Sequence, residues 1–587
     1  MTPNQLNRKK TILIYIVILS MLGLIACIAV LFPHVRQMIM TLIEKILRRP
    51  IFEYQAWYHA FFSYALTGIF FILFFDYCTL TNSGRLLVNQ VKQEIKDCLS
   101  EIDFRSFRKP FFFMLGVYLL GILTIIRANF LYMDDIGRSI EGWRGWYGWS
   151  RYVSEFASIF LHADSNLTDI SPLPQLFAMF FLSISSVLLV YILGDRRITT
   201  VRLLASIPLG LFPYFLQNLS FKFDAPYMTL SILASIVPFL FIKHKKAFIF
   251  SSVVSLLIMC ATYQASSGFY LLIAVILCFQ DWNRRKKSDK EILAFLGVAT
   301  FAFCIALAIF KIFLVRSPGS WAEKYASTSI HPIPNMLSGI LENIKDYAIV
   351  VNQDMCMLWK IGIALVCIFF ITKSVRMSSR KKVFSFFTSI LLICLSFILS
   401  YGVYYLLTKP LYEPRSLYGF GLFLSLLCIY VVSDYKKIAI VIALALNWSF
   451  FVFAFSYGNA LADQARYTEF RISMLLHDLS NLYPDQPEET ISIQLENSID
   501  FAPTIQNISK HYPLIEKLVY KRLSGGDNIW EYFYFLKHFN YGQNRVESNL
   551  PVFFPIDFRT LDLPVVLDSY YHTIKSDGIH CLVVLKH

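Results

Sequence analysis

The long apolar runs of this chain leave few folds open to it. A hydrocarbon core about 30 Å thick needs roughly 20 apolar residues for each crossing helix. On that measure the sequence predicts spans near 11–32, 58–80, 110–127, 173–193, 200–217, 226–242, 247–263, 268–281, 292–315, 357–373, 383–407, 416–433 and 438–457. That is about thirteen, with the short pair 247–263 and 268–281 the weakest. Composition agrees: 56% of residues are hydrophobic and 16% charged, where globular chains carry about 25% charged residues. The expected fold is a polytopic α-helical membrane protein over 1–457, followed by a separate domain over 458–587.

The formal charge of +14 could suggest a nucleic-acid partner, but its placement speaks against one. Arg8 to Lys10, Arg196-Arg197, Lys243 to Lys246, Arg284 to Lys287, Arg380 to Lys382 and Lys436-Lys437 fall in alternate loops. By the positive-inside rule that side is the cytoplasm, together with the N-terminus. The loop 33–57, with Arg36, Lys45, Arg48 and Arg49, dissents. The mixed charges of 81–109 read as an amphipathic surface helix. Loops 128–172, 218–225, 264–267, 316–356 and 408–415 and the tail from Gly458 then share the outer face. The first apolar run is too long for a signal-peptide core and is expected to be retained. No CxxC or Cys/His metal spacing is present, so neither a disulfide framework nor a zinc site is expected. The proline-punctuated tail, with helix-like stretches at Asp463–Leu482 and Tyr512–Leu523 and strand-like ISIQL and HCLVVL, reads as a small α/β domain.

Most of the chemistry-bearing residues lie on the assigned outer face. Asp134 and Asp135 stand where the apolar run 110–127 has ended, and Arg138 follows at helical spacing from both. Adjacent carboxylates raise each other's pKa unless a cation compensates. The pair reads either as the capped start of a surface helix or as a general base for an acceptor hydroxyl. Trp143, Trp146 and Trp149 recur every three residues and predict one face of an interfacial helix. Lys222 and Asp224 occupy a short loop: a snorkelling turn, or a phosphate-binding lysine beside an acid that holds a sugar hydroxyl. Tyr263 and Gln264 interrupt an apolar helix pair and suit either a satisfied helix end or hydrogen bonds to a sugar. The loop 316–356 has the length and prolines of a lid or re-entrant segment, and its Glu323 and Lys324 read either as a solvated surface pair or as substrate contacts. In KPLYEPR, Lys409 and Arg415 flank a tight turn in which Arg415 can grip a phosphate and Glu413 can orient it. Arg151 completes the set of candidates. Walker A, GxGxxG after a strand, GxSxG and HExxH are all absent from the sequence.

The series DDIGR, EGW, GW and SR (Asp134 to Arg151), TDISPLPQL (Thr168 to Leu176), FKFDAPYM (Phe221 to Met228), TYQAS (Thr262 to Ser266) and YEPR (Tyr412 to Arg415) resembles the phage-type, serotype-converting O-antigen glucosyltransferases, the Gtr family. The likeness covers most of 60–460 and leaves the tail unmatched. It implies a GT-C-type membrane glycosyltransferase in the bacterial inner membrane with a periplasmic C-terminal domain. Such an enzyme takes a sugar, glucose by the family, from an undecaprenyl-type polyprenyl-phosphate donor to a lipid-linked lipopolysaccharide O-antigen acceptor, usually with inversion. A donor synthase and a flippase are the implied functional partners. Asp134 or Asp135 occupies the place of the family's acidic base. Arg138, Lys222, Lys409 and Arg415 suit the donor phosphate; Asp224, Tyr263, Gln264, Arg151, Glu323 and Glu413 suit sugar or acceptor. Paired acids can hold a divalent cation, but with no third acidic ligand near them no metal or other cofactor is expected. A polysaccharide polymerase or ligase would use the same face. A flippase would place its charges near the bilayer midplane, where these spans are nearly free of Asp and Glu.

Overall fold

The computed structural model describes residues 79, 81–315, 329–433, 437–484, 492–521 and 556–586. The spans expected at 11–32 and 58–80 and the dissenting loop 33–57 lie outside the described residues, as does Glu323. Seven described helices are long and apolar enough to cross a membrane: Leu173–Leu193, Lys245–Thr262, Gln264–Asn283, Asp289–Leu314, Met357–Arg376, Lys382–Leu399 and Lys437–Leu482. Thr200–Leu211, Ala225–Phe241 and Gly419–Val432 are apolar but shorter. The count of thirteen is therefore not reached among the described residues.

Local chemistry explains several departures from the hydropathy reading. The run 200–217 is cut into Thr200–Ala205, Pro208–Leu211 and Pro213–Ser220. Each proline opens a new short helix, because it lacks the N–H that would continue the previous one. The run 110–127 is likewise two helices, Phe104–Gly121 and Leu123–Ala128. At Asp289–Ile309 a capping box fixes the start: the Ser288 side chain takes the Glu291 N–H and Glu291 takes the Ser288 N–H. The region 383–407 leaves its helix at Leu399 and continues as a single tight turn at Gly402–Leu406.

The longest helix, Lys437–Leu482, runs 46 residues. The boundary expected at 457/458 falls inside it, so the last apolar helix and the first stretch of the tail are one rod. Gly458 lies where that rod crosses Leu123–Ala128, and a Cβ there would run into Thr124. The Thr124 hydroxyl donates to Ala454 O at 3.3 Å across the same crossing.

Beyond the rod the tail forms a four-stranded sheet of β1 (Ser492–Glu496), β2 (Val565–Asp568), β3 (His572–Ser576) and β4 (His580–Leu585). The strand order is β1-β4-β3-β2, with β1 parallel to β4 and the other pairs antiparallel. Ile493, Leu495, Ile574, Cys581 and Val583 pack with Ile472, Leu475 and Leu479 of the long helix and with Ile136. Of the helix expected at Tyr512–Leu523, only Ile515–Leu518 is helical among the described residues, and a separate short helix, Pro503–Ser509, precedes it. These tie the tail to the helical part. Tyr512 packs on Trp359 and Phe453, and Leu518 O accepts from Tyr132 Oη at 2.8 Å and Tyr457 Oη at 3.3 Å.

Candidate active site

Asp134 and Asp135 begin the helix Asp134–Glu141, where their charge suits the positive end of the peptide dipoles. Met133, just before them, has a left-handed φ of 43°. A non-glycine residue there costs about 1–3 kcal/mol and must be held by its surroundings. Part of that hold is Arg415, whose Nη1 approaches Met133 Sδ at 3.0 Å.

The two acids have different environments. Asp135 is fully buried. It accepts the backbone N–H groups of Tyr132 (3.1 Å), Lys222 (3.0 Å) and Phe223 (3.4 Å), and so clasps the segment 221–223 to the start of its own helix. Burial pushes its pKa up to about 7, against the pull of the Lys222 N–H. Asp134 has a side chain that is 37% exposed, and its ion pair is a long one to Arg138 at 3.7 Å. Desolvation by the surrounding protein raises its pKa, opposed by Arg138 and, more weakly, by Arg415 and Arg151. Asp134 is thus a partly exposed carboxylate in the field of three guanidinium groups.

Those cations are held differently too. Arg138 is buried and ion-paired tightly with Asp224, and its guanidinium lies 4.3 Å from the Trp146 ring centre. Trp146 Nε1 donates to the other Asp224 oxygen at 2.5 Å. Asp224 is therefore committed to two protein partners. Lys222, 2% exposed, pairs with Asp169 at 3.0 Å. Lys222 and Asp224 are buried parts of the cluster, not members of a surface turn. Arg151 lies over the Tyr263 ring at 4.6 Å, and its Nε is buried without a hydrogen-bond partner. Arg415 lies over Phe221 at 5.3 Å. Its backbone is gripped on both sides: its N–H donates to Gln217 Oε1 at 2.6 Å, and its carbonyl accepts from Tyr263 Oη at 3.0 Å.

Of the remaining sequence candidates, Gln264 donates to Trp149 O at 3.2 Å and supports the loop behind Arg151. Lys409 is exposed, and no described contact joins it, or the side chain of Glu413, to the cluster. The three tryptophans do not line one helix. Helix Asp134–Glu141 stops at Gly142, and Trp146–Trp149 is a separate tight turn with Trp146 turned inward. Gly142 has a φ of +70°, and a Cβ there would meet the Asn166 side chain at 2.5 Å, so this corner requires glycine.

Residues that the sequence reading did not single out complete the site. Asp169 is the partner of Lys222. Glu155 takes Arg144 Nε at 3.1 Å and the Tyr147 N–H at 3.1 Å. Gln217 bridges Tyr132 and Arg415. Asp169 lies within the TDISPLPQL run and could have been paired with Lys222 by counting charges on the same face. Nothing in the sequence marks Gln217, which is buried in an apolar stretch. Among the described residues no group of three or more His, Cys, Asp or Glu is placed to hold a metal ion.

A mostly helical chain with several membrane-length helices, carrying a half-exposed acid and a ring of cations at one helix junction, has the parts of a membrane-type group-transfer protein. The chain belongs to the glucosyl transferase GtrII family, whose model matches residues 123–426. That span holds every member of the cluster and stops before the tail. The chain is also similar to an uncharacterized 55.3 kDa protein in the gtrB 5′ region of Salmonella phage P22, 23% identical over 431 residues, 71% of this chain and 87% of the relative. No solved structure matches the chain. Family membership makes it a glycosyltransferase in a Gtr-like system.

Proposed function

We propose that this glycosyltransferase moves a sugar, glucose by its family, from a polyprenyl-phosphate-linked donor to a lipid-linked O-antigen repeat at the periplasmic face of the bacterial inner membrane, with Asp134 as general base. Asp134 takes the proton of the acceptor hydroxyl, the acceptor oxygen bonds to the anomeric carbon, and the bond from that carbon to the donor phosphate breaks. The leaving phosphate is an anion and calls for cations rather than an acid. Arg415 and Arg151 flank Asp134 electrostatically and suit that role. Arg138 is spent on Asp224, and Lys222 on Asp169, so both act by positioning.

The observation that carries the reading is the division between the two acids: one engaged by three backbone donors, the other half-exposed beside the arginines. The test is the mass of surface polysaccharide from cells with and without the protein. A hexose-sized gain per repeat, lost in Asp134→Asn at unchanged membrane level, is the expected result. A fully active Asp134→Asn rules out Asp134 as the base. An altered chain length without a mass gain per repeat would point to a polymerase instead.

A further inference from the structure

Away from the acid cluster, a cavity of about 890 Å³ lies where the helix Met357–Arg376 begins and the tail docks on it. One wall comes from the helical part, with Asn352, Gln353 and Lys360; the other comes from the tail, with Asn507, Lys510 and His511. Tyr512, packed on Trp359 and Phe453, closes the seam between them.

Its charge is one-sided. Lys360 and Lys510 line it, and no Asp or Glu does. Neither lysine is engaged in an ion pair among the described residues, in contrast to Lys222 or Lys517. The nearest acid in sequence, Asp354, is turned inward at 2% exposure, where Lys517 Nζ at 2.6 Å and Tyr214 Oη at 2.9 Å neutralise it. Amides, imidazole and two ammonium groups around a space of this size form a receptor for a phosphate-type anion.

Its rim is apolar on one side. Met357 and Leu358 line the cavity yet are 70% and 60% exposed, and Ile361, one turn further along, is 49% exposed. They belong to a helix long and apolar enough to cross a membrane. Exposed apolar side chains on such a helix face acyl chains, while the lysines beside them stand at headgroup level. A ligand that satisfies both features carries a phosphate and an aliphatic chain. We propose that this cavity binds the phosphate headgroup of a membrane-anchored lipid, with its chain lying along Met357, Leu358 and Ile361. The site is independent of the catalytic assignment of Asp134. It also gives the tail a direct part in lipid recognition, since one wall of the cavity is tail.

The test uses the full chain purified in detergent and titrated calorimetrically with dihexanoyl phosphatidic acid, dihexanoyl phosphatidylcholine and inorganic phosphate. The phosphatidic acid is expected to bind at least about ten-fold more tightly than either of the others. Lys360→Gln with Lys510→Gln should weaken it by about ten-fold or more, the loss typical of charge-assisted hydrogen bonds. Met357→Gln with Leu358→Gln should weaken phosphatidic acid and leave inorganic phosphate unchanged. All four side chains lie at the surface of the cavity, and a preserved thermal transition shows that the variants remain folded. Equal binding of phosphatidic acid by the parent and the double-lysine variant would overturn the proposal. So would inorganic phosphate binding as tightly as the lipid, which marks a free-anion site.

Discussion

Two buried polar regions of this protein use similar residues to different ends. In the tail, Arg471 is almost completely buried, and its Nη2 donates to the backbone carbonyls of Tyr571 (2.8 Å) and Lys586 (2.6 Å). His572, 1% exposed, meets Asp478 at 2.9 Å, and Gln494 bridges Ile556 O and the Phe558 N–H. These groups join chain segments, and each is satisfied by doing so. In the acid cluster, Asp135, Lys222 and Asp224 behave in the same way, and Arg138 does so through its ion pair with Asp224, although its Nε is buried without a partner. Asp134 differs: it begins its helix, is near several cations, and keeps a partly exposed carboxylate, which is why we propose it as the reactive one. Residue type does not separate a structural polar group from a reactive one. Whether its hydrogen-bonding capacity is already spent does.

Removing the open acid should produce the largest effect on function. Asp134→Asn is expected to lower sugar transfer by about 10²–10⁴, as loss of a general base does, with an unchanged melting temperature. A rate assay on membranes normalised for protein content checks both halves. Removing a spent acid should do the reverse. Asp224→Ala leaves buried Arg138 with only its longer ion pair to Asp134 and should cost about 3 kcal/mol of stability, read as an earlier denaturant midpoint or loss of folded protein. Arg471→Met in the tail should cost about 1–3 kcal/mol, since the Lys586 carbonyl loses its Arg471 donor and the Tyr571 carbonyl keeps only the Lys586 N–H, while transfer per folded molecule changes less than about ten-fold. Proteolysis of the tail alongside the rate assay would distinguish these outcomes.

The smallest expected effects are those of pH, and they differ in kind. The raised pKa of Asp134 means that its base form is lost as pH falls through a value above the 3.8 of an ordinary aspartate. The acidic limb of the rate profile should therefore lie above that value, and a limb at or below it would contradict the assignment. Burial lowers the pKa of His572 from 6.5, against the pull of Asp478. Below 6.5 the unfolded chain binds a proton that the folded chain resists, so tail stability should fall with pH in that window. His572→Gln should flatten that dependence. Thermal melts of the two proteins between neutral and mildly acidic pH measure it.

Much of this was readable from residue order. The hydropathy runs located the helices Leu173–Leu193, Asp289–Leu314 and Met357–Arg376 within a few residues, because lipid-length apolar helices need no partner to be recognised. The motif series brought Asp134, Asp135, Arg138, Lys222, Asp224, Tyr263 and Arg415 into consideration together. These residue types suit the acid-and-cation reaction that we propose.

Tertiary structure decided how those residues divide their work. Asp134 and Asp135 are neighbours in the chain and chemically identical, so nothing local separates them. They diverge because the segment 221–223, nearly ninety residues on, delivers two N–H groups to one and not the other. Asp224, which the sequence offers as a group for a sugar hydroxyl, is held by Arg138 and Trp146, because the fold buries it beside both. The break at Pro208 and Pro213 is local proline chemistry that a hydropathy average passes over, whereas the rod that runs through 457/458 depends on packing. Composition and periodicity report the solvent a segment prefers. Only long-range contacts report which polar groups remain unspent, and those are the ones available to a substrate.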